Sequence, residues 1–247
     1  MRTIDVLRSL GPIDARNVRR DSLLGWIILV PILMGLLMRF GVPPLAEAMR
    51  AQFGFDLSPY YPLMLSYFLI TLCPLMFGMV IGFLLLDERD DRTLTALQVT
   101  PLTMNAYLAY RVAVPVVLTV VLMFVLFPLV DLADLSFGHI LVAGLAAAPL
   151  APLLALFLAG FAANKVQGFA ALKGLGFVLM VVPTVGYFVR PPWHWAFGLV
   201  PTFWPMRVYW SLEAGHSQLW LHLHIALAYQ ALLLFLLLRR FDTVIHR

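Results

Sequence analysis

The residues best placed to do something chemical lie in one run. Asp87-Glu88-Arg89-Asp90-Asp91-Arg92 is followed at once by Thr93-Leu94-Thr95-Ala96-Leu97-Gln98-Val99-Thr100-Pro101-Leu102-Thr103. Asp91 or Thr93 can cap a short helix by accepting from its first free amides. Leu94 and Leu97, three apart, share a face of that helix. Thr100 precedes a proline and is pushed out of the helical region, so the turn stops there and Pro101 can open the next helix. A short helix with an apolar ridge between charged flanks is suited to docking in a partner's groove. The plainer reading packs it on its own chain with the charges solvated. Neither is bond-making chemistry.

Signatures for bond-making are missing. There is no G-x-x-x-x-G-K-[ST] loop to cradle phosphate, because Lys165 follows Asn164 and Lys173 follows Leu172. Zincin, nucleophile-elbow and kinase patterns are absent. His222 and His224 are two apart, which puts them on different helix faces. His216 aligns with neither, so interfacial histidines are the plain reading. Cys73 is the single cysteine, which excludes an internal disulfide and any cysteine-built zinc site. Neither a catalytic site, a metal site nor a cofactor is expected in this chain.

The elements that must hold this loop follow from composition. The 247 residues are 62% hydrophobic and 12% charged, with a mean hydropathy of +0.91, against roughly 45–50% and about 25% in soluble domains. A soluble globule of this size needs a polar skin that the chain cannot provide. That excludes a soluble enzyme, a disordered chain and a nucleic-acid binder. The basic pI near 9.5 fits cytoplasmic loops of a membrane protein.

A crossing helix needs about 20 apolar residues. Uncharged gaps at 22–38, 57–86, 112–130, 135–164, 174–189 and 214–238 give six, read as spans at about 22–40, 60–86, 104–130, 137–163, 169–189 and 216–238. The fold class expected is an all-α integral membrane protein, with residues 1–21 as a cytoplasmic amphipathic segment and 22–247 as the six-helix domain. With the N-terminus inside, 12 of the 17 Lys and Arg fall on cytoplasmic segments and four outside, with Arg111 at the boundary. Both termini are therefore expected in the cytoplasm.

Val6, Leu7, Leu10 and Ile13 recur at near-helical spacing before Gly11-Pro12 interrupts the run and Arg16, Arg19 and Arg20 precede the first span. This reads as an interfacial helix, or as a basic tail obeying the positive-inside rule. The stretch 190–213 is rich in Trp and Pro: its prolines forbid one continuous helix, and short elements in the outer leaflet are expected. They form an aromatic belt or an external gate, for which Pro201, Phe203, Trp204 and Pro205 are the candidates. Gly78 and Gly82 permit close helix packing, within the chain or across a dimer seam, and Pro74, Pro149 and Pro152 introduce kinks. The spans hold essentially no deep ionisable residue: Arg111 is expected to snorkel to the inner interface. That argues against a proton-coupled pump and leaves a path for a hydrophobic or amphipathic substrate.

The loop resembles the coupling region of ABC type 2 exporter permeases, whose usual pattern is an acidic residue, a few charged positions, then Gly-Thr-Leu-Glu-x-Leu-x-Val-Thr-Pro-Leu. Glu88, Thr93, Leu94, Leu97, Val99, Thr100, Pro101 and Leu102 match; Arg92 stands for the usual Gly and Thr95 for the usual Glu. Six spans, a basic amphipathic N-terminus and a Pro/aromatic segment before the last span extend the likeness over the whole chain. Thr100-Pro101-Leu102-Thr103 and Gly198–Trp204 most resemble fluoroquinolone-type drug export permeases, while haem-exporter permeases share the layout. The resemblance implies an inner-membrane transport subunit, active as a homodimer or with a sister permease. ATP and Mg would sit on a separate nucleotide-binding subunit, contacted through Glu88, Arg89, Arg92, Thr93, Leu94, Leu97, Val99, Thr100 and Pro101. A membrane-embedded lipid-modifying enzyme is the alternative from another class; it would need paired catalytic groups at one depth.

Overall fold

The computed structural model describes residues 3–90, 103–189 and 192–245, and every regular element among them is helical. In chain order these are α1 (Thr3–Arg20), α2 (Ser22–Phe53), α3 (Ser58–Asp90), α4 (Met104–Val130), α5 (Phe137–Ala147), α6 (Leu150–Phe161), α7 (Lys165–Val185), α8 (Phe203–Glu213) and α9 (Leu219–Ile245). A 3-10 segment, Trp193–Leu199, precedes α8. Six helices are long and apolar enough to cross a bilayer: α2, α3, α4, α5 with α6, α7 and α9.

Side-chain oxygens start four of the helices. Asp21 accepts from the Leu23 and Leu24 amides at 3.0 and 3.3 Å. Thr103 accepts from Ala106, Ser136 from His139 and Asn164 from Gln167. Thr103 is the cap of α4, whose first residue is Met104; Pro101, expected to open this helix, lies outside the described residues. Pro12 does not break α1: the helix runs through it, since its fixed φ is helical and one lost hydrogen bond can be tolerated at that point. The prolines elsewhere leave carbonyls to be satisfied. Ahead of Pro74, α3 widens to a π-helix over Ser66–Leu72. Ala148-Pro149 divides α5 from α6, and the Gln230 amide donates to the Ala146 carbonyl at 3.0 Å. Pro183 cannot donate to Leu179, whose carbonyl accepts instead from the Thr202 hydroxyl.

The apolar stretch of α3 is 83% buried and that of α5–α6 72%, against 17–28% for α2, α4, α7 and α9. So α3 and α5–α6 form the centre, and the other four turn apolar side chains such as Trp26, Leu37, Phe177 and Phe235 outward. With no water in a bilayer core, such a surface is stable only in lipid or against another apolar face. The chain is an integral membrane protein.

Gly78 and Gly82 let α3 approach α6 within the chain. A Cβ at Gly78 would lie 2.5 Å from the Ala151 carbonyl oxygen, and one at Gly82 would lie 2.8 Å from Leu158. Overpacking of this kind costs about 1–3 kcal/mol. Gly78→Ala is expected to lower the melting temperature in detergent by several degrees, while Gly174→Ala, which would meet open space, leaves it unchanged. Equal melting of the two variants would contradict the close contact.

Candidate functional site

Of the nine loop residues expected to couple to a partner, Arg92, Thr93, Leu94, Leu97, Val99, Thr100 and Pro101 lie outside the described residues. Glu88 and Arg89 are at the end of α3, and both are engaged within the chain. The Arg89 guanidinium donates to the carbonyls of Ala159, Ala162 and Ala163 at 3.0, 2.8 and 2.6 Å. Ala159 is an acceptor in the last turn of α6 and the other two lie just past its end, where a cation is favoured by both hydrogen bonding and the helix dipole. Glu88 accepts from the Tyr107 hydroxyl and from Arg111.

Arg111 overturns the expectation of a snorkelling side chain. It is 2% exposed, because α1 lies across that end of the bundle and covers it. From α1, Asp14 accepts from both terminal nitrogens of Arg111, at 2.7 and 3.2 Å. The Tyr107 hydroxyl accepts from Arg111 Nε at 3.2 Å, and Tyr110 donates to Asp14 at 2.8 Å. The guanidinium carbon also stands 5.3 and 5.5 Å from the two ring centroids, within cation–π range. One cation thus holds two carboxylates from different helices, one of them three residues before the segment 91–102. A buried charge cluster is tolerable only when well hydrogen-bonded, and here every guanidinium nitrogen and every carboxylate oxygen has a partner. Its arrangement ties any movement of α1 to the base of the loop.

A second cation repeats the theme. Lys165 Nζ is 2.9 Å from Asp21, at the α1–α2 joint, and 2.9 Å from Asp87. The hydrogen bond from Lys165 holds the Asp21 carboxyl below the usual carboxylate range, with the Leu23 and Leu24 amides adding to it. A depressed carboxylate stabilises the fold above its unfolded pKa, so this contribution is present at neutral pH and lost as pH falls through the lowered value.

At the opposite end the gate candidates are brought together. Phe203 is fully buried, and Trp204 is nearly so, donating from Nε1 to the Gly198 carbonyl at 2.9 Å. Gly198 is required there: a Cβ would come within 2.7 Å of the Trp204 ring. Pro205 falls in the first turn of α8, where its missing N–H costs nothing. Pro201 lines a cleft of about 460 Å³ with Leu75, Phe157, Leu179, Tyr229 and Leu233. The walls are almost wholly apolar, which suits a hydrophobic ring or chain. Trp193 and Trp195 are exposed, as a belt requires, whereas Tyr209 and Trp210 are buried in the bundle. His222 is not interfacial: it is 2% exposed, with Nδ1 2.9 Å from the Ser211 hydroxyl.

Residues 14–238 match the family described as Fluoroquinolones export permease protein Rv2686c-like. The chain belongs to this family. It is 30% identical over 236 residues, 95% of this chain and 93% of the relative, to the fluoroquinolones export permease proteins Rv2686c of Mycobacterium tuberculosis strain H37Rv and MT2760 of strain CDC 1551. No solved structure matches the chain. The permease match begins at Asp14 and takes in Glu88, Arg111 and the gate residues.

Sequence reasoning missed Asp14, Tyr107, Arg111 and Lys165 as parts of the permease's polar end. A signal was present. Arg111 stands in an apolar span with Tyr107 one turn before it, and an ionisable residue there needs a partner. Which carboxylates would answer it is set by tertiary packing, at separations of 97 and 23 residues.

Proposed function

We propose that this permease is the transmembrane subunit of an ATP-driven ABC exporter that moves amphipathic, drug-like molecules outward, fluoroquinolones among them. It works in the inner membrane with both termini cytoplasmic, as a pair of permease chains. ATP and Mg are bound by a separate nucleotide-binding subunit that engages residues 88–101. The observation that carries the reading is the Asp14–Arg111–Glu88 cluster, which roots the coupling-like segment in both α1 and α4. Displacement of that segment by a partner would be passed to two helices at once rather than absorbed by a slack loop. The Lys and Arg distribution supports the orientation, and the absence of a phosphate-binding loop from the sequence supports a separate ATPase.

Affinity purification of the permease from cells that also express a candidate nucleotide-binding subunit of an ABC exporter tests this. The expected result is co-purification of the two chains, ATPase activity in the complex and none in the permease alone. Turnover by the isolated permease, free of contaminating ATPase, would contradict the proposal.

A further inference from the structure

The end of the bundle opposite α1 holds a charged group that the fold does not use. Arg207, on α8, has its Nε buried without an acceptor, and no ion pair involves it among the described residues. A buried donor left unmade is costly, and more so when the group is charged. Glu213, in the same cleft, does not answer it; that carboxylate accepts from the Tyr209 hydroxyl at 2.8 Å. Burial disfavours the charged form of Arg207, and its positive field, after desolvation, helps hold His194 below the usual histidine range.

Arg207 lines a cleft of about 300 Å³ with Tyr187, Trp210, Glu213 and His216. That is at the small end of ligand pockets, room for a bicyclic molecule. Two of its walls are aromatic and fixed. Tyr187 and Trp210 meet edge to face with centroids 5.0 Å apart. Each is pinned by its polar tip, Tyr187 to the Pro59 carbonyl at 3.0 Å and Trp210 to the Ser66 hydroxyl at 2.9 Å. A cation lacking an anion beside a rigid aromatic wall specifies its ligand: a carboxylate for the planar guanidinium fork, carried on a flat ring for the aromatics.

We propose that this cleft is a binding site for planar aromatic carboxylates, with Arg207 holding the carboxylate and Trp210 and Tyr187 flanking the ring. That such acids are also the cargo rests on the export reading above; the binding site does not.

The test is calorimetric titration of the permease alone, in phosphatidylcholine nanodiscs, with 2-naphthoate and with its neutral counterpart 2-naphthamide. Wild type is expected to bind the acid at least about tenfold more tightly than the amide, the scale of a charged hydrogen-bonded pair. Arg207→Gln should abolish that preference while leaving amide binding unchanged, and Arg207→Lys should retain part of it. Because Arg207→Lys keeps the charge on a similar stem, its retained binding separates loss of the site from misfolding. Equal binding of acid and amide, an undiminished preference in Arg207→Gln, or no binding of the acid by wild type would each overturn the site. ATP-driven export can fail with this binding intact, and the converse, so the two readings fall separately.

Discussion

Arg111→Met is expected to leave little folded permease in the membrane. The substitution keeps the bulk of the side chain but removes the one cation that, among the described residues, touches both Asp14 and Glu88. Two largely buried carboxylates, Asp14 of α1 and Glu88 of α3, would then face each other with no cation between them. Breaking such a cluster by removing one partner costs about 3–5 kcal/mol, a large part of the 5–15 kcal/mol that holds a typical domain together. The remedy is as informative as the damage. Combining Arg111→Met with Asp14→Asn and Glu88→Gln removes all three charges, and yield should recover substantially because no charge is left unpaired. Membrane yield and melting temperature of the single and triple variants decide it. A single variant with wild-type yield and melting would mean that Arg111 is not buried in this cluster.

Leu97→Glu is expected to do the opposite: leave the fold alone and abolish transport. In the coupling reading Leu97 and Leu94 form the ridge that enters a groove on the ATPase subunit, and a carboxylate there would have to be buried unpaired. The permease should insert and melt as wild type does while losing the co-purified ATPase, with Gln98→Glu as the control that keeps it. Were the ridge packed on its own bundle, the same substitution would lower yield and melting instead. Retained ATPase with undiminished transport would refute the role assigned to this loop.

The architecture was legible because the bilayer imposes a simple rule. Long uncharged gaps must be helices, and six of them stand out once charges are treated as boundaries. The Gly78 and Gly82 approach and the break at Ala148-Pro149 were likewise local properties. What escaped was long-range. The apolar pattern of α1 indicated a helix lying along a surface, but not that it covers Arg111 and delivers Asp14 to it. Aromatic composition pointed to a belt over 190–213, whereas α8 puts Phe203, Tyr209 and Trp210 into the core and sets Arg207 against a cleft. Composition reports how much apolar surface a segment has, and only packing decides what it is buried against.

The central claim, that ATP use elsewhere drives export through this permease, is met most directly by one measurement. Inverted membrane vesicles carrying the permease and its ATPase subunit are given norfloxacin, and its accumulation inside is followed. Accumulation is expected on addition of ATP and Mg, to be absent with a non-hydrolysable analogue, and to be lost in Leu97→Glu. Accumulation that proceeds without the ATPase subunit, or is driven by a proton gradient in the absence of ATP, would contradict the account.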